Sequence, residues 1–333
     1  MGRTEPENAA YSPYPLQSIA DETATDARKT PSIYVVGEED KIAKLWVNGV
    51  AADIPDSGLN AAFYSVFVCK DDIYIAGHVT KHGIEVATVW KNGVAAELTD
   101  GTREANARSI FVHNGDVYAA GREGKRAKVW KNGVATDLTD DSDYKPYAYS
   151  VFVYNDDVYV AGKDGNRALV WKNGVATELS GGYGHGENCA TSVFVYKGDV
   201  YVSGYLNTRI MSHEGVAVVW KNGVAAMLDD NSIANAVYVY RGDVYAAGTT
   251  FKYFYGYNAV VWKNGVATRL SFNEAFAASV FVYDGDVYVV GYKEDIEDRF
   301  LNSEVAKLWI NRETTDLSPE QKYAKAVSVF VTG

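Results

Sequence analysis

Val129-Trp130-Lys131-Asn132-Gly133-Val134-Ala135 is the stretch that decides the fold. Its core, Trp-Lys-Asn-Gly-Val-Ala, stands unchanged at Trp90, Trp130, Trp171, Trp220 and Trp262. The first copy reads Trp46-Val47-Asn48-Gly49 and the last Trp309-Ile310-Asn311-Arg312. These seven positions hold every tryptophan of the 333-residue chain, 40 to 49 residues apart. A unit of this length marks a repeat architecture in which each copy is one supersecondary element. Asn-Gly between two strand-like runs asks for a two-residue hairpin, because both central residues of a type I′ turn need positive φ.

Working outward from Trp130, each copy shows four strand-like segments. The first is Ser109-Ile110-Phe111-Val112 and the second Asp116-Val117-Tyr118-Ala119-Ala120-Gly121, joined by Asn114-Gly115. The third is Ala127-Lys128-Val129-Trp130, which the Asn132-Gly133 turn joins to a fourth, Val134-Ala135-Thr136-Asp137-Leu138. Lys197-Gly198, Arg241-Gly242 and Asp284-Gly285 repeat the first turn elsewhere. Each copy therefore reads as a four-stranded antiparallel meander. A two-residue turn sets Trp262 opposite Ala267, and alternation leaves both faces of the third segment apolar. A sheet apolar on both faces has to be covered on both, which radial stacking of the copies achieves.

The chain ends supply the closure. The first copy starts directly at a second segment, Ser32-Ile33-Tyr34-Val35-Val36-Gly37, and the chain finishes on an orphan first segment, Ser328-Val329-Phe330-Val331-Thr332-Gly333. Pairing the two completes the first unit and removes the open edge a linear array would leave. The expected fold is all-β: a seven-bladed β-propeller of four-stranded antiparallel blades, closed by the C-terminal strand joining the first blade. It covers residues 31–333, with residues 1–30 a disordered leader or linker. The Asp-Val-Tyr-Val-Ala-Gly and Val-Trp-Lys-Asn-Gly motifs resemble those of recently amplified bacterial propellers, many of them surface proteins. WD40 dipeptides and the paired glycines of kelch repeats are absent. The resemblance implies no catalytic residues.

Composition narrows the partners. The net charge is -11, and most lysines are spread one per repeat, which speaks against nucleic acid. No apolar run approaches the ~20 residues of a membrane-spanning helix. Residues 1–30 lack the apolar core of a signal peptide; an extracytoplasmic protein (cell surface or periplasm) whose signal lies outside this sequence fits them, as does a cytoplasmic one. Cys69 falls at a first-to-second turn and Cys189 in a fourth-to-first loop. A strand of five or six residues keeps those ends ~17–20 Å apart, too far for a disulfide.

Function is expected where the copies differ. The longest variable connections are residues 78–86, 205–216, 249–258 and 292–305, all at one end of the ring. Tyr205, Tyr253, Tyr255 and Tyr257, with Tyr183 in the Gly-rich stretch 180–186, are candidate ligand contacts, since aromatic rings suit stacking on sugar faces or an apolar peptide; packing on neighbouring loops is the more ordinary use of such rings. His78, His185 and His213 are further candidate ligand contacts, but metal binding needs three or more converging groups, so no metal site and no cofactor are expected. The stretch 180–186 is glycine-rich like a phosphate loop but precedes a strand instead of opening a helix. Asp56, Glu187, Glu274 and Glu294 are carboxylates from which a glycosidase pair could be drawn, with no pattern to choose among them.

The leading expectation is a monomeric, non-catalytic binding or interaction module presenting variable loops to a glycan or a protein. A glycoside hydrolase or lyase with its site at the channel mouth is the alternative, and a purely structural scaffold a further one.

Overall fold

The computed structural model describes residues 30–52, 54, 60–181, 186–207, 215–252, 256–295, 303–319 and 322–333. The chain divides into two units, Met1–Thr30 and Pro31–Gly333, and the fold is that of the second.

It is a ring of seven blades, each an antiparallel sheet of four strands. Blade two shows the order: Ala61–Cys69, Asp72–Lys81, Ile84–Lys91 and Val94–Glu97. Blade one is closed by the chain terminus, because Ala324–Thr332 pairs antiparallel with Ser32–Glu39, and Ile33 faces Val331. The closure expected from the two orphan segments is thus present.

The tryptophans pack blade upon blade. Trp262 lies opposite Ala267, as the turn register demands. All seven indoles are buried. Trp90 of blade two sits with Val36, Ala43 and Leu45 of blade one, and Trp130 of blade three with Ala76, Ala87 and Val89 of blade two. Each large ring fills the space left by small or β-branched neighbours on the preceding blade. Burial of an indole removes ~150–250 Å² from water, which makes these seven contacts the main glue between blades. Trp220 Nε1 donates to the Ser180 carbonyl at 2.7 Å, whereas the other six indole N–H groups have no acceptor among the described residues.

The Asn of the repeat does more than turn the chain. Asn132 takes a φ of 51° and Gly133 one of 81°. The Asn132 N–H donates to the Val117 carbonyl at 2.8 Å, and its Oδ1 accepts from the Val117 N–H at 2.8 Å. Its Nδ2 donates to Asp116 at 2.7 Å, while Lys131 pairs with the other oxygen of Asp116 at 2.8 Å. One side chain thereby ties the third-to-fourth turn to the start of the second strand. Blade one has Val47 and Ser32 at the Lys and Asp places, and the ion pair is lost as a unit.

The innermost strands close a second feature at the same end. Phe67, Phe111, Phe152, Phe194, Tyr238, Phe281 and Phe330 touch in unbroken sequence, with centroids 4.6 to 4.9 Å apart, and Phe330 meets Phe67 to complete the circle. Tilted rings at this spacing are the favoured aromatic geometry. Next along the strand, Ser65, Ser109 and Ser150 each accept from a backbone N–H of the following blade at 3.0 to 3.2 Å. Apolar and polar rings together fasten the axis at the turn end.

Three of the expected variable loops are corrected. Residues 78–86 belong to two strands joined through His82 and Gly83, whose φ values are 52° and 83°. Phe251 pairs with Tyr257 in blade six, and Glu294 with Glu304 in blade seven. These hairpins extend because alternation and paired backbone groups continue past the blade body, a pattern hidden by their polar composition. Cys189 likewise opens the strand Cys189–Tyr196 instead of lying in a loop. Both thiols are free.

Candidate functional site

The mouth opposite the turns is shaped by one bulge repeated seven times. In each innermost strand an extra residue breaks the register: Tyr64, Arg108, Tyr149, Thr191, Asn235, Ala278 and Val327. The bulge brings a carbonyl over the second strand, where only glycine fits. A Cβ on Gly121 would meet the Asn106 oxygen at 1.9 Å, and one on Gly162 the Tyr147 oxygen at 2.0 Å. This explains the glycine that ends every Asp-Val-Tyr-type segment. The residue after it begins the mouth: Glu38, His78, Arg122, Lys163, Tyr205, Thr249 and Tyr292. Bulge and post-glycine positions hold different chemistry in nearly every blade, although the scaffold around them repeats.

Across blades two to four these positions build a connected cluster. The guanidinium of Arg108 lies 3.9 Å from the Tyr64 ring centroid and 5.4 Å from that of Tyr147. Its Nε donates to Tyr147 Oη at 3.1 Å. Tyr147 Oη in turn donates to Asn106, whose Nδ2 donates to Glu85 at 2.9 Å. Tyr64 Oη and His78 Nδ1 are 3.1 Å apart, and His78 Nε2 lies 3.7 Å from Glu85. Tyr149 stacks on Tyr147 at 4.7 Å and 5°. Arg122 places its guanidinium 5.2 Å from the Tyr147 ring. Burial pushes the Tyr64 phenol up to about 12, against the pull of Arg108. Burial holds the His78 imidazole below its ordinary value, with Glu85 acting the other way. Burial also raises Tyr149 and Tyr205 well above the usual phenol range, and pushes the Cys189 thiol up to about 12. The raised Tyr64 and Tyr149 phenols are therefore neutral at physiological pH.

A second arc spans blades six, seven and one. Phe251, Tyr257, Phe276 and Tyr292 form a ladder with steps of 5.2, 5.1 and 4.8 Å. Lys325 caps it 4.5 Å from the Tyr292 centroid, and pairs with Glu304 at 3.0 Å. Glu294, opposite Glu304, is pushed up by burial and then by Glu304 and Glu274.

Of the residues expected at a site, His78 lies in the strand Asp72–Lys81 within the first cluster, Tyr205 in Asp199–Leu206, and Tyr257 in the second ladder. They occupy separate blades. His213, Tyr253, Tyr255, Tyr183 and His185 lie outside the described residues, as does Asp56. Among the described residues, no group of three His, Cys, Asp or Glu is placed to hold a metal ion. Glu187 is bound up with Lys163. Reading loops alone missed Arg108, Tyr64, Tyr147 and Tyr149. The available signal was the variation of charge and size at strand positions flanking the constant Gly and a Ser that only blade six replaces, with Ala236.

No protein-family model matches the chain, and no curated relative does. Among solved structures it is similar to a puromycin-hydrolysing peptidase of Mycobacterium tuberculosis, with 12% identity and a TM-score of 0.51 over 78% of this chain and 46% of that one. It is also similar to the extracellular domain of a putative one-component system, BT4673, of B. thetaiotaomicron, with 11% identity and a TM-score of 0.48 over 77% and 37%. The chain thus matches less than half the length of either structure. The first likeness extends to the propeller fold alone. No helix among the described residues is long and apolar enough to cross a membrane.

Proposed function

We propose that the protein is a binding module whose mouth, opposite the Asn-Gly turns, takes a glycan or protein ligand. One observation carries this reading. The turn end keeps the same residues in nearly every blade, whereas the bulge and post-glycine positions of the mouth differ from blade to blade. A pure scaffold has no use for such variety, because the packing those positions need is supplied by the constant Ser, Gly and Trp. Arginine and tyrosine, which dominate the first cluster, are the side chains that concentrate binding energy at interfaces. The module works as a monomer outside the cytoplasm. A screen of the full chain against glycan and protein panels is expected to return a ligand whose affinity falls when Tyr149 and Tyr205 are replaced by alanine. Ligands that bind equally well to that double variant would end the mouth reading.

One observation favours a hydrolytic second reading: Glu294 is raised beside Glu304 directly across a strand pair. A raised carboxyl facing a second carboxylate is the arrangement of an acid catalyst with its partner. Turnover of a polysaccharide by the native chain, abolished in Glu294→Gln, would support it. Inertness towards the whole panel would remove it.

A further inference from the structure

Most half-buried cations in this ring have a carboxylate. Lys128 pairs with Glu123 at 2.8 Å and Asp137 at 2.9 Å, Lys307 with Asp316 at 2.6 Å, and Lys325 with Glu304 at 3.0 Å. Lys163 is held by Glu187. Among the described residues, Arg108 and Arg122 at the mouth have no carboxylate partner. In a chain with 43 acidic and 32 basic residues, partners are not scarce. Arg108 nevertheless spends only its Nε, on Tyr147, and leaves both terminal nitrogens without a protein acceptor among the described residues. Its plane rests on Tyr64 at 3.9 Å. Arg122 Nε is wholly buried and unpartnered. A guanidinium half removed from water without a counter-charge is costly, and a bidentate carboxylate is the group its geometry fits best.

What flanks the guanidinium selects the rest of the ligand. The hydroxyls of Tyr64 and Tyr147 are already engaged. Tyr147 is itself buried, with Tyr149 stacked on it and both guanidinia near its ring, so the half-exposed Tyr149 supplies the ring platform, and its own hydroxyl has no acceptor among the described residues. A ring platform beside a free guanidinium matches a pyranose that carries a carboxylate, the apolar sugar face on tyrosine and the acid on arginine.

We propose that Arg108, backed by Arg122, is the anion subsite of the mouth and that its ligand is an acidic, uronate-containing saccharide. This rests on the binding-module reading above and names its ligand. Because the whole protein is acidic, attraction to such a saccharide is local and depends on these two side chains.

Calorimetric titration of the full chain with oligogalacturonate, and with the same oligomer methyl-esterified, tests it. Binding is expected to the free acid, about tenfold or more weaker to the ester, and weaker with added salt. Arg108→Gln should abolish the preference for the acid, Arg108→Lys should restore it in part, and Lys131→Gln, at the turn end, should leave it unchanged. Thermal melts of all variants confirm that each is folded. Equal affinity for acid and ester, or an Arg108→Gln variant that keeps the preference, overturns the anion subsite. If neutral glycans bind through Tyr149 and Tyr205 regardless of Arg108, the subsite fails while the binding module stands. Binding of peptides with a free C-terminal carboxylate, without any uronate, replaces the saccharide by a protein ligand. No binding by any probe removes both readings.

Discussion

The two ends of the same ring are built on opposite rules. At the turn end, seven blades repeat one solution: an Asn side chain that laces two strands, an aromatic ring that meets its neighbour at 4.6 to 4.9 Å, and an indole buried against the preceding blade. At the mouth, the same strands carry arginine, histidine, tyrosine, lysine or threonine at equivalent places. Two arcs within the mouth differ again. Lys325 sits on its aromatic ladder with a carboxylate in hand, whereas Arg108 sits on tyrosine without one. Repetition accompanies positions that hold the ring, and an unsatisfied charge accompanies positions left for something else.

The sharpest way to break that comparison is to strike the repeated end. Trp90→Ala should cost about 3–5 kcal/mol of stability, read as a shift in a urea or guanidinium midpoint. Tyr149→Ala at the mouth should cost much less, since its ring lies half-exposed. Comparable losses for the two would mean that the mouth is structural as well.

Glycine substitutions divide the repeat more finely. Gly121→Ala forces a Cβ to within 1.9 Å of the Asn106 oxygen, so the bulge has to move, and a loss of about 1–3 kcal/mol is expected. Gly133→Ala meets nothing within 4 Å and pays only for a φ of 81°, about 1–2 kcal/mol. Thermal unfolding of the pair checks the order, and a reversal would show that the bulge is soft.

A smaller difference separates the tryptophans of two neighbouring repeats. Trp220→Phe removes a hydrogen bond to Ser180, and Trp171→Phe removes none. The first should be the more destabilising by about 1 kcal/mol. Equal effects would mean that the Ser180 contact contributes nothing.

The smallest effect concerns pH. His78 is held below its ordinary value of 6.5 by burial. On acidification the unfolded chain takes up this proton first, so the folded state loses ground. The contribution is complete above pH 6.5 and is lost as pH falls through the lower folded value. His78→Asn should therefore flatten the fall in stability as pH drops below 6.5. A variant whose midpoint keeps the native pH slope would show that His78 is not the titrating group.

Much of this is legible in the amino-acid sequence. Trp262 opposite Ala267 follows from Asn-Gly, because a two-residue turn leaves one register open. Ser32 and Gly333 announce closure, because each half-unit lacks the strand the other carries. The loops were less legible. Residues 78–86 read as a polar connection, yet His82-Gly83 makes them a hairpin, and the signal there is weaker than Asn-Gly. The cluster around Arg108 could not be read from spacing at all. Tyr64, Arg108 and Tyr147 are about 40 residues apart and meet only because adjacent innermost strands converge at the axis.

By itself, then, the amino-acid sequence determined the number of blades, the hairpins, the face that carries each tryptophan and the strand that closes the ring. These depend on local turn geometry and on period-two alternation, which are properties of short stretches. Only the tertiary structure decided that seven phenyl and phenol rings form an unbroken circle, that every strand-end glycine lies beneath a bulge carbonyl, and that one arginine stands among tyrosines with no acid to answer it. Those depend on which side chains radial packing brings within a few ångströms, a relation between blades that no single repeat contains.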